Sequence, residues 1–377
     1  MTSLQQIGTP AAVIELPRMQ RNIARMQQRM ETLGVRFRPH VKTSKCMQVT
    51  QAQLAAGAQG ITVSTLKEAE QFFAAGITDI LYAVGMVPAK LSQALALLRR
   101  GCALKLIADS ADAAGAIGRF GHENGVRFEV WIEIDTDGHR SGIAPESPAL
   151  LDVAHALRAH GLAPGGVMTH AGSSYALDTP AALEAMAEQE RAGCVRAAQR
   201  LREAGFACPV VSVGSTPTAL SARQLEGVTE VRAGVYVFFD LVMANVGVCS
   251  PEDVALSVLT TVIGHQVDKG WAIVDAGWMA MSRDRGTQAQ RHDYGYGQAC
   301  TADGAVLGGY VLSGANQEHG ILSRQGEPDA DIASRFPVGT LLRILPNHAC
   351  ATGAQFPQYH ALDANGQLQA WPRFYGW

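Results

Sequence analysis

The sequence predicts an α/β chain: a TIM-type (β/α)8 barrel followed by a C-terminal, mostly-β domain. Two observations carry this. From about residue 16 to 240, apolar β-branched runs alternate with helical patterns eight times, and after about residue 250 the helical patterns nearly vanish. Parallel strands need helical crossovers, and eight such units close a barrel. An open doubly wound sheet is the alternative, but no Gly-x-Gly-x-x-Gly follows the first strand run, so a dinucleotide fold loses its best support.

The elements follow in order. Leu16–Thr32 has apolar residues at helical spacing. Strands are expected at Val35–Arg38, Gly60–Val63, Asp79–Ala83, Leu104–Ala108, Phe128–Ile134, Gly165–His170, Val210–Gly214 and Val228–Ala233. Between them, Thr65 caps a helix with Glu68 three residues on, and Thr179-Pro180 opens a long helix to about Gly205, proline at its first position. Beyond these, Val254–Ile263, Trp271–Asp275, Ala305–Leu312, Thr340–Leu345 and His360–Leu362 read as strands. Asp268-Lys269-Gly270 and the run Asp363 to Gln367 are turn chemistry. The barrel is expected over 16–249 and the β domain over 250–377.

Composition narrows the function. The 377 residues are 47% hydrophobic and 17% charged, enough for a sizeable core. A net charge of −3 with no Lys/Arg run argues against nucleic acid or an anionic membrane as partner. Seven scattered cysteines (46, 102, 194, 208, 249, 300 and 350) show no framework spacing, so a reduced, cytoplasmic chain is expected. The first residues lack a charged and an apolar region, so no signal peptide is expected, and no apolar run is long enough to span a bilayer.

Barrel chemistry sits where strands run into βα loops. Lys42, just past the first barrel strand in Arg38-Pro39-His40-Val41-Lys42-Thr43, is placed to act as an imine-forming amine if shielded from water; otherwise it is a surface lysine. Gly214, Ser215 and Thr216 follow the seventh strand, and Gly234 and Val235 end the eighth. Barrels often hold phosphate with these two loops, although Gly-Ser-Thr is also ordinary capping chemistry. Arg140, after the fifth strand, offers a planar fork to a phenolate or carboxylate, or else sits in a solvated loop. Tyr175, after the sixth, could meet a ring or simply pack. Far downstream, His348 and Cys350 are two apart. On an extended segment both side chains face one way and could share a metal, zinc by the softness of the donors. A buried cysteine beside a core histidine is the plain alternative. Asp135, Asp137, His139, His170, Glu318, His319 and the arginines of 276–285 stand unassigned.

Four separated segments, Arg38 to Thr43, Val213 to Thr218, Val231 to Tyr236 and Pro346 to Cys350, resemble the D-serine dehydratase / D-threonine aldolase group. These are pyridoxal-phosphate enzymes of the alanine-racemase fold type. The resemblance implies a homodimer, a β domain that also takes in residues 1–15, and Lys42 as the imine-forming lysine. It implies Gly214, Ser215, Thr216, Gly234 and Val235 around the phosphate, Arg140 near the phenolic oxygen and Tyr175 near the ring. It makes His348 and Cys350 ligands of a divalent metal: zinc, with manganese, magnesium or cobalt as alternatives. In this group the aldolases tend to carry Asp at the second metal position and the dehydratases Cys, so Cys350 implies dehydration and deamination of a D-3-hydroxy amino acid. Eukaryotic D-serine dehydratases tend to show Asn where Val235 stands, which favours 3-hydroxyaspartate over D-serine. A retro-aldol enzyme, a racemase and a non-catalytic cofactor carrier remain as alternatives.

Overall fold

Residues 4–377 are described in a computed structural model. They divide into two compact units, one of Arg25–Gly234 with Phe374–Trp377, the other of the chain up to Ala24 with Val235–Arg373. The first unit therefore starts later and stops earlier than the 16–249 expected from pattern alone. Hydrogen bonds explain the shift. Arg18 donates to the carbonyls of Val254 and Gly304, and Asn22 to those of Val237 and Asp253, so the start of the helix Leu16–Thr32 belongs with the second unit. The N–H groups of Leu241 and Val242 donate to Pro346 and Asn347, which draws that segment the same way. The tail returns to the barrel unit, where Phe374 donates its N–H to the Lys45 carbonyl and packs edge-on against Phe72.

The first strand, β1 (Ala11–Glu15), lies in the second unit. The next eight form the barrel: β2 (Arg36–Pro39), β3 (Ile61–Val63), β4 (Asp79–Gly85), β5 (Ala103–Ala108), β6 (Glu129–Ile134), β7 (Pro164–Thr169), β8 (Val210–Val213) and β9 (Glu230–Ala233). All eight expected strands are present within a residue or two. They pair in parallel in the order β2-β9-β8-β7-β6-β5-β4-β3. At the seam between β2 and β3 the bridge His40–Thr62 closes the ring, two residues before Lys42.

Strand and helix chemistry agree with these positions. Thr65 accepts from the Glu68 N–H, and the buried Glu68 carboxylate returns to the Ser64 N–H, fixing the start of the helix Leu66–Ala74. Thr179 caps the helix Pro180–Glu203. Leu81, Ile107, Trp131 and Met168, on four consecutive strands, pack into one cluster. Beside it runs a charged network that apolar patterning does not anticipate. Arg38 pairs with Glu230 at 3.1 Å and Asp79 at 2.8 Å, Lys105 reaches Asp79 at 2.6 Å, and Glu230 accepts from Ser212 at 2.7 Å. Buried charges of this kind persist only when each is paired and hydrogen-bonded.

In the second unit the remaining strands are β10 (Leu256–Gln266), β11 (Trp271–Val274), β12 (Gln298–Thr301), β13 (Val306–Ala315), β14 (Gly320–Arg324), β15 (Leu341–Leu345), β16 (Gln358–Leu362) and β17 (Leu368–Pro372). With β1 they form a nine-stranded sheet in the order β11-β14-β13-β12-β15-β10-β1-β16-β17. The five strands expected here are present. β12, β14 and β17 were not expected: β12 is buried along three of its four residues without alternation, and β17 is an edge strand with no buried residue. β1 sits between β10, antiparallel, and β16, parallel, with Ala11 and Val13 packed on Leu259 and Leu362. No helix among the described residues is long and apolar enough to cross a membrane.

Candidate active site

β2 ends at Pro39, and its fixed φ leads the chain out of the strand into a short 3-10 turn over Val41–Thr43. Lys42 stands on that turn and is exposed. Lys45, three residues on, adopts a left-handed φ of 45° and pairs with the buried Glu68 carboxylate at 3.0 Å.

Two glycines shape the neighbouring strand ends. Gly214 has φ +133°, and a Cβ there would drive into the Arg232 carbonyl oxygen. A Cβ at Gly234 would stand 3.0 Å from the His40 carbonyl oxygen and from Thr43 Oγ1, so glycine lets the end of β9 approach the lysine turn. Ser215 and Thr218 form a reciprocal cap, Ser215 N–H to Thr218 Oγ1 at 3.0 Å and Thr218 N–H to Ser215 Oγ at 3.2 Å. Ser174 Oγ lies 2.8 Å from Ser215 Oγ, joining the loop that carries Tyr175 to the loop that carries Gly214.

Cations surround two imidazoles at this end of the barrel, with the carboxylates of Glu230, Glu190 and Glu133 close to Arg232. Burial, helped by Lys42 and Arg232, pushes His40 well below the usual imidazole range. Burial pushes His170 down to about 4, with Lys42, Arg232 and Arg140 adding to it against a bond to the Gly214 carbonyl. Both imidazoles are therefore neutral at pH 7, with the cations of Lys42, Arg140 and Arg232 around them. A closely approached glycine backbone, paired hydroxyls and this cationic field fit a phosphorylated aldehyde such as pyridoxal phosphate. Arg140 is exposed on the loop after β6, within electrostatic reach of Glu133 and His170. The Tyr175 ring lies 6.0 Å from that of His170.

His348 and Cys350 lie in the second unit, after β15. The expected extended geometry is corrected here. His348 is extended, with φ −136° and ψ 106°, but Ala349 already opens the short helix Ala349–Gly353. Convergence comes instead from that turn: the His348 and Cys350 side chains hydrogen-bond to each other. His348 Nδ1 lies 2.6 Å from Asp284 Oδ2. Burial would lower the His348 imidazolium, but the bonds to Asp284 and Cys350 outweigh it and hold it up at about 11. Asp240, fully buried, accepts from the N–H groups of Ala349 and Met243 at 3.0 Å each. Burial pushes its carboxyl up, with His348 and these two bonds acting against it. Asn347 donates to the carbonyls of Asp284 and Gly295 and accepts from Thr287, which holds the segment in place.

Among the described residues no group of three or more His, Cys, Asp or Glu side chains is arranged to hold a metal. The pair His348 and Cys350 offers nitrogen and sulfur with a carboxylate behind the imidazole, a donor set that suits a soft divalent ion whose other positions are open.

Several of the remaining acidic and basic residues have structural partners. Asp135 Oδ1 accepts the N–H groups of Asp137 and Gly138, and Asp137 Oδ2 accepts that of Ser173 at 2.8 Å, so both carboxylates shape loops. His139 lies against Gly172. Arg283 stacks on Trp278, and Arg285 pairs with Asp293 at 2.9 Å. Glu318 and His319 are exposed between β13 and β14. The residues that sequence reasoning missed are Asp240, Asp284 and Glu190. Asp284 lay in a loop read for its arginines, and nothing in the sequence joins it to a histidine 64 residues away.

Known proteins resemble this chain along its whole length. The family model for the alanine racemase N-terminal domain matches residues 14–242, and that for a putative serine dehydratase domain matches 255–362. The chain is 71% identical over 377 residues to the D-threo-3-hydroxyaspartate dehydratase of Delftia sp. (strain HT23), covering 100% of this chain and 99% of that one. A solved cysteine-to-alanine variant of a D-threo-3-hydroxyaspartate dehydratase, described as the metal-free form, superposes with a TM-score of 0.99 at 70% identity, covering 100% of both chains. The D-threonine aldolase of Filomicrobium marinum superposes with a TM-score of 0.84 at 25% identity, covering 98% of this chain and 96% of the other.

Proposed function

The chain belongs to the alanine-racemase-type family that includes D-threo-3-hydroxyaspartate dehydratase, and from that premise we propose that it removes the β-hydroxyl of a D-3-hydroxy amino acid as water, after which water hydrolyses the resulting imine and releases ammonia, so that D-threo-3-hydroxyaspartate becomes oxaloacetate with a net loss of ammonia alone. Pyridoxal phosphate and a divalent metal are its cofactors in this reading. The observation that carries it is the contact of His348 with Cys350, a nitrogen–sulfur pair backed by Asp284, on a chain 71% identical to a dehydratase along its full length.

Lys42 Nζ would hold the cofactor covalently, and its amine, when free, would take the Cα proton. Gly214, Ser215 and Thr216, with Gly234 and the adjoining Val235, hold the phosphate. Arg140 would serve the phenolic oxygen and Tyr175 the ring. Bound pyridoxal phosphate supplies an electron sink for the charge left at Cα. With Nδ1 engaged by Asp284, His348 offers Nε2, and Cys350 its thiolate, to the metal. A metal held there supplies Lewis acidity for departure of the β-hydroxyl. The neutral imidazoles of His40 and His170 add no charge to a mouth that already has three cations. The working form is read as a homodimer in the cytoplasm, and light scattering of the purified protein would check the dimer.

The test is product identity. Purified protein incubated with D-threo-3-hydroxyaspartate should release oxaloacetate and ammonia, and a chelator should stop turnover while the cofactor stays bound. Full activity after metal removal would refute the metal role. The fold shared with a D-threonine aldolase supports a second reading, cleavage of the Cα–Cβ bond. Glycine and glyoxylate as products would establish it.

A further inference from the structure

Glu190 lies well inside the helix Pro180–Glu203 and is 2% exposed. A carboxylate so deeply placed needs donors, and it takes them from two loops at once. Its Oε1 accepts the Ala171 N–H at 2.9 Å, in the loop after β7, and the Gly214 N–H at 3.1 Å, at the end of β8. Its carboxylate also bonds the Thr218 hydroxyl. From there the network closes on itself. Thr218 caps Ser215, Ser215 meets Ser174 Oγ, and Ser174 donates to the Ala171 carbonyl at 2.7 Å. The ring thus runs through the loop that carries Tyr175 and the loop that carries Gly214 to Thr216, with one side chain from the helix as its hub.

We propose that Glu190 is a positioning residue: its two-amide hydrogen bond sets the Gly214–Thr216 loop against the Tyr175 loop, and so sets how much the cofactor's phosphate contributes to binding. This rests on the pyridoxal-phosphate reading above. Glu190 need not touch the cofactor; it acts through the Gly214 N–H and the Thr218–Ser215 cap. Its reach matters and its charge does not, because a neutral amide oxygen in the same place accepts the same two N–H bonds.

The prediction is read in the apo-protein as the ratio of affinities for pyridoxal phosphate and for pyridoxal, which lacks the phosphate. A plug that merely stabilised the fold would weaken both ligands together and leave the ratio alone. Glu190→Asp keeps the charge but falls short of the two amides, and should cut the ratio by about tenfold or more. Glu190→Gln keeps the reach and should stay within about threefold of the wild type. A folded E190D with an unchanged ratio overturns the proposal, and so does E190Q losing the ratio while E190D keeps it. If E190D does not fold, Thr218→Val, which removes the Glu190 carboxylate's bond to Thr218 and with it the Ser215 cap through which Glu190 also acts, should lower the ratio, and an unchanged ratio there overturns it equally. Wild-type protein that binds pyridoxal as well as its phosphate would instead refute the cofactor reading on which this stands.

Discussion

Histidine is treated in opposite ways in the two units. In the barrel unit His170 is held down to about 4 by burial and by Lys42, Arg232 and Arg140, and His40 is pushed down by burial with Lys42 and Arg232. In the second unit His348 is held up at about 11, with Asp284, Cys350 and Asp240 overcoming burial. The same side chain thus reports surroundings of opposite sign. Cations around neutral imidazoles suit an anion such as a phosphate. Carboxylates and a thiol around an imidazole suit a cation. The two environments come from separate stretches of sequence, and each can be tested by itself.

The largest effect is expected at Lys42. Lys42→Ala should abolish the visible absorption of lysine-bound cofactor and cut turnover by about a thousandfold or more, while metal content stays unchanged. An unaltered spectrum would remove Lys42 from its role. In the second unit, His348→Ala or Cys350→Ala should deplete bound metal, measured by elemental analysis, and leave the cofactor spectrum intact. Loss of both together would show that the two sites are not separable. Asp284→Asn should be milder, weakening metal affinity about ten- to hundredfold by releasing the His348 ring; calorimetric titration would read it.

Smaller effects probe the frame. Gly214→Ala places a methyl group against the Arg232 carbonyl at φ +133° and should cost roughly 1–3 kcal/mol, read as a fall in the denaturation midpoint. The smallest is a pH slope. His170 is neutral in the fold down to about 4, whereas in the unfolded chain it takes its proton near about 6.5. Its contribution to stability is therefore complete above about 6.5 and is lost as pH falls toward 4, at up to about 1.4 kcal/mol per pH unit. Urea unfolding of His170→Asn over that window should show a shallower slope than the wild type. Equal slopes would mean that His170 is not held neutral.

Much of this was legible in the residues. The eight barrel strands, the helix Leu16–Thr32 and the caps at Thr65 and Thr179 are where period and capping chemistry place them, because those signals are local. So were Lys42 at a strand end and the glycines after β8 and β9. The strand β12 and the exposed edge β17 left no readable period. The turn at Ala349 was hidden too, since a two-residue spacing reads equally as strand or as helix entry.

What the residues dictate, then, is what depends on neighbours in the chain: element type, turn position, the softness of a histidine–cysteine donor pair. Folding adds what depends on approach across long separations. Asp284 reaches His348 over 64 positions, Asp240 reaches the Ala349 amide over 109, and Glu190 ties Ala171 to Gly214. Hydrogen bonds and charge fall off within a few ångströms, and only the packed chain fixes which groups come that close.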